Sequence, residues 1–114
     1  TPLGEFRISY VNPRSRYHLF LLLDYPTIAH AQRALADGRI DPEEFVAVSN
    51  AWLEGELPPQ DTRLGGFLGI HGIGNGDLAI HRTVNWTDGC IAMTNEEIDE
   101  LASLVGVGTR VSVR

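Results

Sequence analysis

The only cysteine of this 114-residue chain, Cys90, stands in the run Thr87-Asp88-Gly89-Cys90-Ile91-Ala92-Met93, nineteen positions after the pair His71-Gly72. Acyl transfer by a cysteine needs a thiolate, a base to remove the thiol proton, and backbone amides turned toward the oxyanion that forms. A glycine just before the nucleophile allows the tight turn that presents those amides, and a distant histidine supplies the base. A lone cysteine can also be a buried apolar filler, an intermolecular bridge or a metal ligand. The Gly-Cys turn, the capped helix after it and the separate His-Gly pair favour the nucleophile. For His71 the plainer role is a hydrogen-bonded histidine at a strand end.

Other residues offer weaker signals. His81, nine positions before Cys90, is a candidate substrate contact, a group behind the base, an alternative base or plain surface. Arg82 is a candidate carboxylate binder, with a surface arginine as the plain alternative. His18 and His30 read as structural or solvated. Trp86 and Tyr17 read as core or cleft-wall residues.

The elements that must position these groups are legible in part. Arg7 to Val11 predicts a short strand broken by turn chemistry at Asn12-Pro13. Tyr17 to Leu23 predicts a central strand, apolar on nearly both faces and needing a neighbour on each side. Residues 27 to 37 read as a helix capped by Thr27, with Ile28, Ala31, Ala34 and Leu35 on one face and Gly38 as terminator. A second helix starts from Asp41, with Pro42 at its first position, Glu43 and Glu44 in its first turn, and Phe45, Val48 and Trp52 along one face. Gly55 to Gly66 reads as a loop, and Phe67 to His71 as a buried strand that delivers His71. Gly72 to Gly76 holds three glycines in five residues, a loop that must approach something closely. Thr94 and Glu97 form a capping box for a helix with Ile98, Leu101, Leu104 and Val105 as its buried stripe and Gly106 as its stop. Arg110 to Val113 reads as a last strand, Val111 and Val113 sharing a face.

Composition bounds the class. A chain of this length fits one domain, and 43% hydrophobic with 21% charged residues is an ordinary globular balance. Fifteen acidic residues outweigh nine basic ones for a formal charge of −6. Every basic residue is arginine, and no four of them cluster, which argues against nucleic-acid binding. The longest apolar run, Leu19 to Leu23, is far short of the roughly 20 residues that cross a bilayer. No signal peptide is visible, and the chain opens on Thr1-Pro2 without a methionine.

Ile70-His71-Gly72, Trp86 through Asn95 and Gly108-Thr109-Arg110-Val111 together resemble the catalytic domain of the L,D-transpeptidases, the YkuD-type family of bacterial cell-wall enzymes. The start of this chain, Thr1-Pro2-Leu3-Gly4-Glu5-Phe6, is similar to that family's TPxGxF segment, so the likeness spans nearly the whole chain. It implies a β-rich α+β fold, a β-sandwich with the cysteine near a strand end, a helical insertion at about residues 27–54 and a helix after Cys90. It also implies strands upstream of Thr1, so that 1–114 forms the later part of a single catalytic domain. The absent strands would come from another segment or another chain.

By the same resemblance Cys90 is the nucleophile and His71 its base, and the amides of Asp88, Gly89 and Cys90 form the oxyanion hole. Substrate contacts would come from Arg82, His81, Gly72 and Thr87, with no cofactor and no metal. Three positions depart from the pattern of many members, the first being Thr87 in place of a serine. Asp88 replaces a histidine; a carboxylate beside the sulfur would raise the thiol pKa, so its side chain is expected to turn away. Ala92 replaces an arginine suited to gripping a substrate carboxylate. Arg82 is the first candidate to replace it and Arg63 the second.

The implied reaction is attack by Cys90 on a diaminopimelate carbonyl of a peptidoglycan stem peptide, followed by transfer to an amine. Water as acceptor would make the protein an L,D-carboxypeptidase or amidase instead. A zinc hydrolase built on His71, His81 and Cys90 and a non-catalytic wall-binding module are the remaining classes. The implied location is periplasmic or otherwise extracytoplasmic.

Overall fold

The computed structural model describes residues 2–74 and 89–114. These form a small mixed α/β fold of five strands and three helices, where the sequence reading expected β-rich content. The chain divides into two compact units, residues 1–23 with 68–114, and residues 24–67.

The first unit is built on a sheet of β1 (Gly4–Ser15), β2 (His18–Leu23), β3 (Gly69–His71), β4 (Ile91–Ala92) and β5 (Arg110–Val113). Its order is β4-β3-β2-β1-β5. All neighbours are antiparallel except β3 and β4, which run parallel. β1 changes partner along its length: Gly4 to Arg7 pair with β5, and Ile8 to Ser15 pair with β2. The register slips between Ile8 and Tyr10, where the chain switches from one partner to the other, and Ser9 Oγ donates to the Leu22 carbonyl at 3.2 Å. An extra residue of this kind bends a strand and sharpens its twist.

Phe6, Ile8, Leu21, Leu23, Leu68, Ile70 and Ile98 are buried in this unit. Ile98 belongs to α3 (Asn95–Leu104), whose capping box is formed as expected: Thr94 accepts from the Glu97 amide and the Glu97 side chain accepts from the Thr94 amide. In β5, Val111 and Val113 are half-buried and alternate with exposed Arg110 and Ser112.

The second unit holds α1 (Ile28–Ala36) and α2 (Pro42–Leu53). Ala31, Ala34, Ile40 and Val48 make its core, with Leu35, Phe45, Trp52 and Leu64 packed around them. Thr27 and Asp41 cap the two helices, and Asp41 completes a capping box with Glu44. Gly38 adopts φ +73 after α1; its amide reaches the Leu35 carbonyl, and the Arg39 amide reaches that of Ala34. This double bond pattern ends a helix where only a residue tolerating positive φ fits. The unit leaves after Leu23 and returns at Leu68, whose backbone groups bond each other at 2.9 Å.

Four expectations need correcting. β1 is not broken at Asn12-Pro13 but runs on to Ser15. Pairing with β5 reaches only as far as Arg7, opposite Arg110, so this stretch pairs with β2 alone among the described strands, and an edge tolerates a proline that lacks an N–H. Tyr17 lies in the turn before β2, where its amide donates to Ser15 Oγ and His18 takes φ +76. Phe67 is exposed at φ +53, outside the extended region, so β3 starts at Gly69. Leu104 is 78% exposed: six residues past Ile98, it lies about 120° around the helix from it. As expected of a central strand, β2 has a neighbour on each side, β1 and β3.

Candidate active site

His71 ends β3 and is only 2% exposed. Its Nδ1 lies 2.6 Å from the Gly72 carbonyl oxygen. A carbonyl only accepts, so Nδ1 carries the proton and the lone pair resides on Nε2, the atom available to act as a base. Two aromatic rings lie close to parallel with the imidazole. Tyr17 stacks at 4.4 Å between centroids and 29° between planes, and Phe20, the cross-strand partner of His71, at 5.7 Å and 8°. Gly69 makes room for this arrangement, since a Cβ there would fall 2.6 Å from the Phe20 ring.

The loop after His71 is pinned from two sides. A Cβ on Gly72 would lie 2.6 Å from Asn95 Oδ1 and 2.8 Å from the Tyr17 carbonyl oxygen. On Gly74, at φ +60, it would lie 2.1 Å from the Arg16 carbonyl oxygen. The close approach expected of this glycine-rich segment is therefore to the β1–β2 turn and to the first residue of α3. Asn95 Oδ1 accepts from the amides of Ile73 and Gly74 at 3.0 and 2.9 Å, and its Nδ2 donates to the Gly74 carbonyl at 2.9 Å.

Cys90 is half-buried and immediately precedes β4. β4 runs parallel to β3 with Ile91 opposite Ile70 and Ala92 opposite His71, and the Met93 amide continues the ladder to the His71 carbonyl at 2.8 Å. Strand alternation carried one residue back places Cys90 on the face shared by Ala92 and His71. Gly89 has φ +121, and among the described residues a Cβ there would find only Pro2 Cδ at 4.0 Å. Its glycine is required by conformation rather than by space.

The remaining sequence candidates separate. His81, Arg82, Trp86, Thr87 and Asp88 lie outside the described residues. Ala92, where the family pattern has arginine, is the direct neighbour of His71 across the sheet. Arg63 is committed within the second unit, 3.3 Å from Asp41 and 3.2 Å from Glu44, so it is not a spare cation. His18 pairs with Asp99 at 2.7 Å, tying the turn to α3, and His30 meets its helix cap Thr27 at 2.6 Å; both are structural. Among the described residues no three His, Cys, Asp or Glu side chains are grouped to hold a metal.

Sequence reasoning missed Asn95 as a positioning residue and Tyr17 as the ring on His71. Asn95 directly follows the helix cap and was visible only as part of the run after the cysteine. Nothing in the spacing of Tyr17 signals a stack with a residue 54 positions away.

The YkuD family model, described as the L,D-transpeptidase catalytic domain, matches residues 1–113. No curated protein and no solved structure gives a significant match. With nearly the whole chain covered by that match, and with a histidine and a glycine-cysteine turn brought onto adjacent parallel strands, this chain belongs to the YkuD family of L,D-transpeptidase catalytic domains.

Proposed function

We propose that residues 1–114 act as one catalytic domain, the helical unit being an insertion, and that Cys90 and His71 carry out acyl transfer on peptidoglycan stem peptides. Family membership supports transpeptidase-type catalysis on peptidoglycan and hence action at the cell wall, outside the cytoplasm. Among the described residues no helix is long and apolar enough to cross a membrane.

In this reading His71 Nε2 takes the Cys90 thiol proton as the sulfur forms a bond to the carbonyl carbon of a diaminopimelate residue. The carbonyl oxygen becomes an oxyanion, held by the amides of the Asp88-Gly89-Cys90 turn. Collapse breaks the C–N bond, and the departing D-amino acid leaves with the proton from His71. An amine from a second stem or a protein then attacks the thioester, gives its proton to His71 and releases the sulfur. Water at this last step gives the hydrolytic variant, a carboxypeptidase or amidase. Substrate contacts from Arg82, His81, Gly72 and Thr87 belong to the same reading, with Gly72 contributing the carbonyl that orients the base.

The observation that carries it is the parallel pairing of β3 with β4, Ile70 opposite Ile91 and His71 opposite Ala92, which sets His71 across from a residue two positions after Cys90. The test is incubation of full-length protein with defined muropeptides and mass spectrometry of the products. Loss of the terminal D-amino acid with a cross-linked dimer identifies the transferase; loss without cross-linking identifies the hydrolase. Turnover surviving in Cys90→Ala would rule out the covalent route.

A further inference from the structure

We propose that Arg16, at the tip of the β1–β2 hairpin, is the cation that meets a carboxylate of the substrate peptide. This rests on the acyl-transfer reading above and identifies what that site recognises.

The guanidinium is already placed. Its Cζ lies 4.8 Å from the centroid of the Tyr17 ring and its Nη2 donates to Tyr17 Oη at 2.6 Å. That ring in turn stacks on His71 at 4.4 Å. Arg16 therefore lies within roughly 10 Å of the base, about the span of three extended residues. A stem peptide carries free carboxylates within that many residues of its scissile amide.

Three further observations favour this role. Arg39, Arg63 and Arg114 each pair with a carboxylate, whereas among the described residues none pairs with Arg16. The Arg16 backbone lies so close to Gly74 that a Cβ there would strike its carbonyl, which sets the hairpin tip directly against the loop after His71. Ala92, the neighbour of His71 on the other side, brings no charge. An exposed guanidinium resting on an aromatic ring loses little freedom when it binds, and its planar fork suits a carboxylate.

The test compares kcat/KM of the full-length protein on a stem peptide and on counterparts with each carboxylate converted to carboxamide. The wild type is expected to favour one carboxylate form by about tenfold, a modest ratio because Arg16 is solvated. Arg16→Gln should erase that preference, and Arg16→Lys should keep part of it through charge without the fork. Alkylation of Cys90 by iodoacetamide, a probe with no carboxylate, reads the integrity of the thiol and its base. A parallel fall in alkylation would make Arg16 a mere support for Tyr17 and overturn the proposal. So would equal loss on acid and amide peptides, or a preference that survives Arg16→Gln and disappears in Arg82→Gln. Wild-type protein inactive on every stem peptide would remove the parent reading and the proposal with it. Wild-type turnover without carboxylate discrimination would remove the proposal alone.

Discussion

Asn95 and Gly74 are joined twice through one side-chain amide: Oδ1 accepts from the Gly74 N–H and Nδ2 donates to the Gly74 carbonyl, each at 2.9 Å. The helix that follows the cysteine thereby holds the loop that follows the histidine. The two halves of the candidate active site share a support as well as a sheet.

Asn95→Ala should leave two loop amides and one carbonyl without their partner. A loss of about 1–3 kcal/mol in stability is expected, together with slower acylation as His71 loses its alignment. Asn95→Asp keeps the acceptor for both amides and should lose less. Chemical denaturation and the alkylation rate of Cys90 check both; a variant normal in each would deny Asn95 this role.

Gly89→Ala tests the turn itself. Among the described residues no atom blocks the new methyl group, and φ +121 is a conformation costing about 1–3 kcal/mol for a residue with a Cβ. The chain is expected to relax there and move Cys90, so acylation by an activated ester should fall by at least about tenfold while the fold persists. Unchanged acylation would mean that the turn does not aim the sulfur.

His71→Ala, which removes the proposed base, should slow acylation by roughly 10²–10⁴-fold, and His81→Ala by much less. Tyr17→Phe keeps the ring on the imidazole and should act mildly, whereas Tyr17→Ala removes it and should slow acylation clearly more. Single-turnover kinetics separate these outcomes, and a larger effect from His81→Ala would reassign the base.

Burial raises the Tyr25 phenol above its ordinary pKa, with Arg39 pulling partly in the opposite direction. The protonated hydroxyl donates to the Leu64 carbonyl at 2.9 Å. A raised folded-state pKa means that the stabilisation is complete below the unfolded value, about 10, and declines as pH rises from there through the folded value. Tyr25→Phe should therefore cost about 1 kcal/mol at neutral pH and show a smaller further loss above pH 10. Denaturation midpoints at pH 8 and at about pH 11 measure the difference.

The local elements were legible because their causes are local. Thr27, Asp41 and Thr94 each stand where a side-chain oxygen can answer the amide three residues on, and all three cap helices. The apolar run ending at Leu23 is central because both its faces are apolar. Cys90 and His71 could be named as candidates from residue type and from the glycines beside them. Local pattern failed where a neighbour decides: Pro13 survives in β1 because its other side is an edge, and Leu104 stays exposed because nothing described covers it.

Tertiary structure alone decided which residues serve the pair. The parallel register of β3 and β4, the stack of Tyr17 on His71, the grip of Asn95 on Gly74 and the guanidinium of Arg16 over Tyr17 all join positions distant in sequence, except the last, whose meaning depends on the ring beneath it. Hydrogen-bond registry and ring contact depend on how strands are brought together, and periodicity along one chain carries no record of that. Chemistry could be read from residue types; the groups that aim it could be read only from the fold.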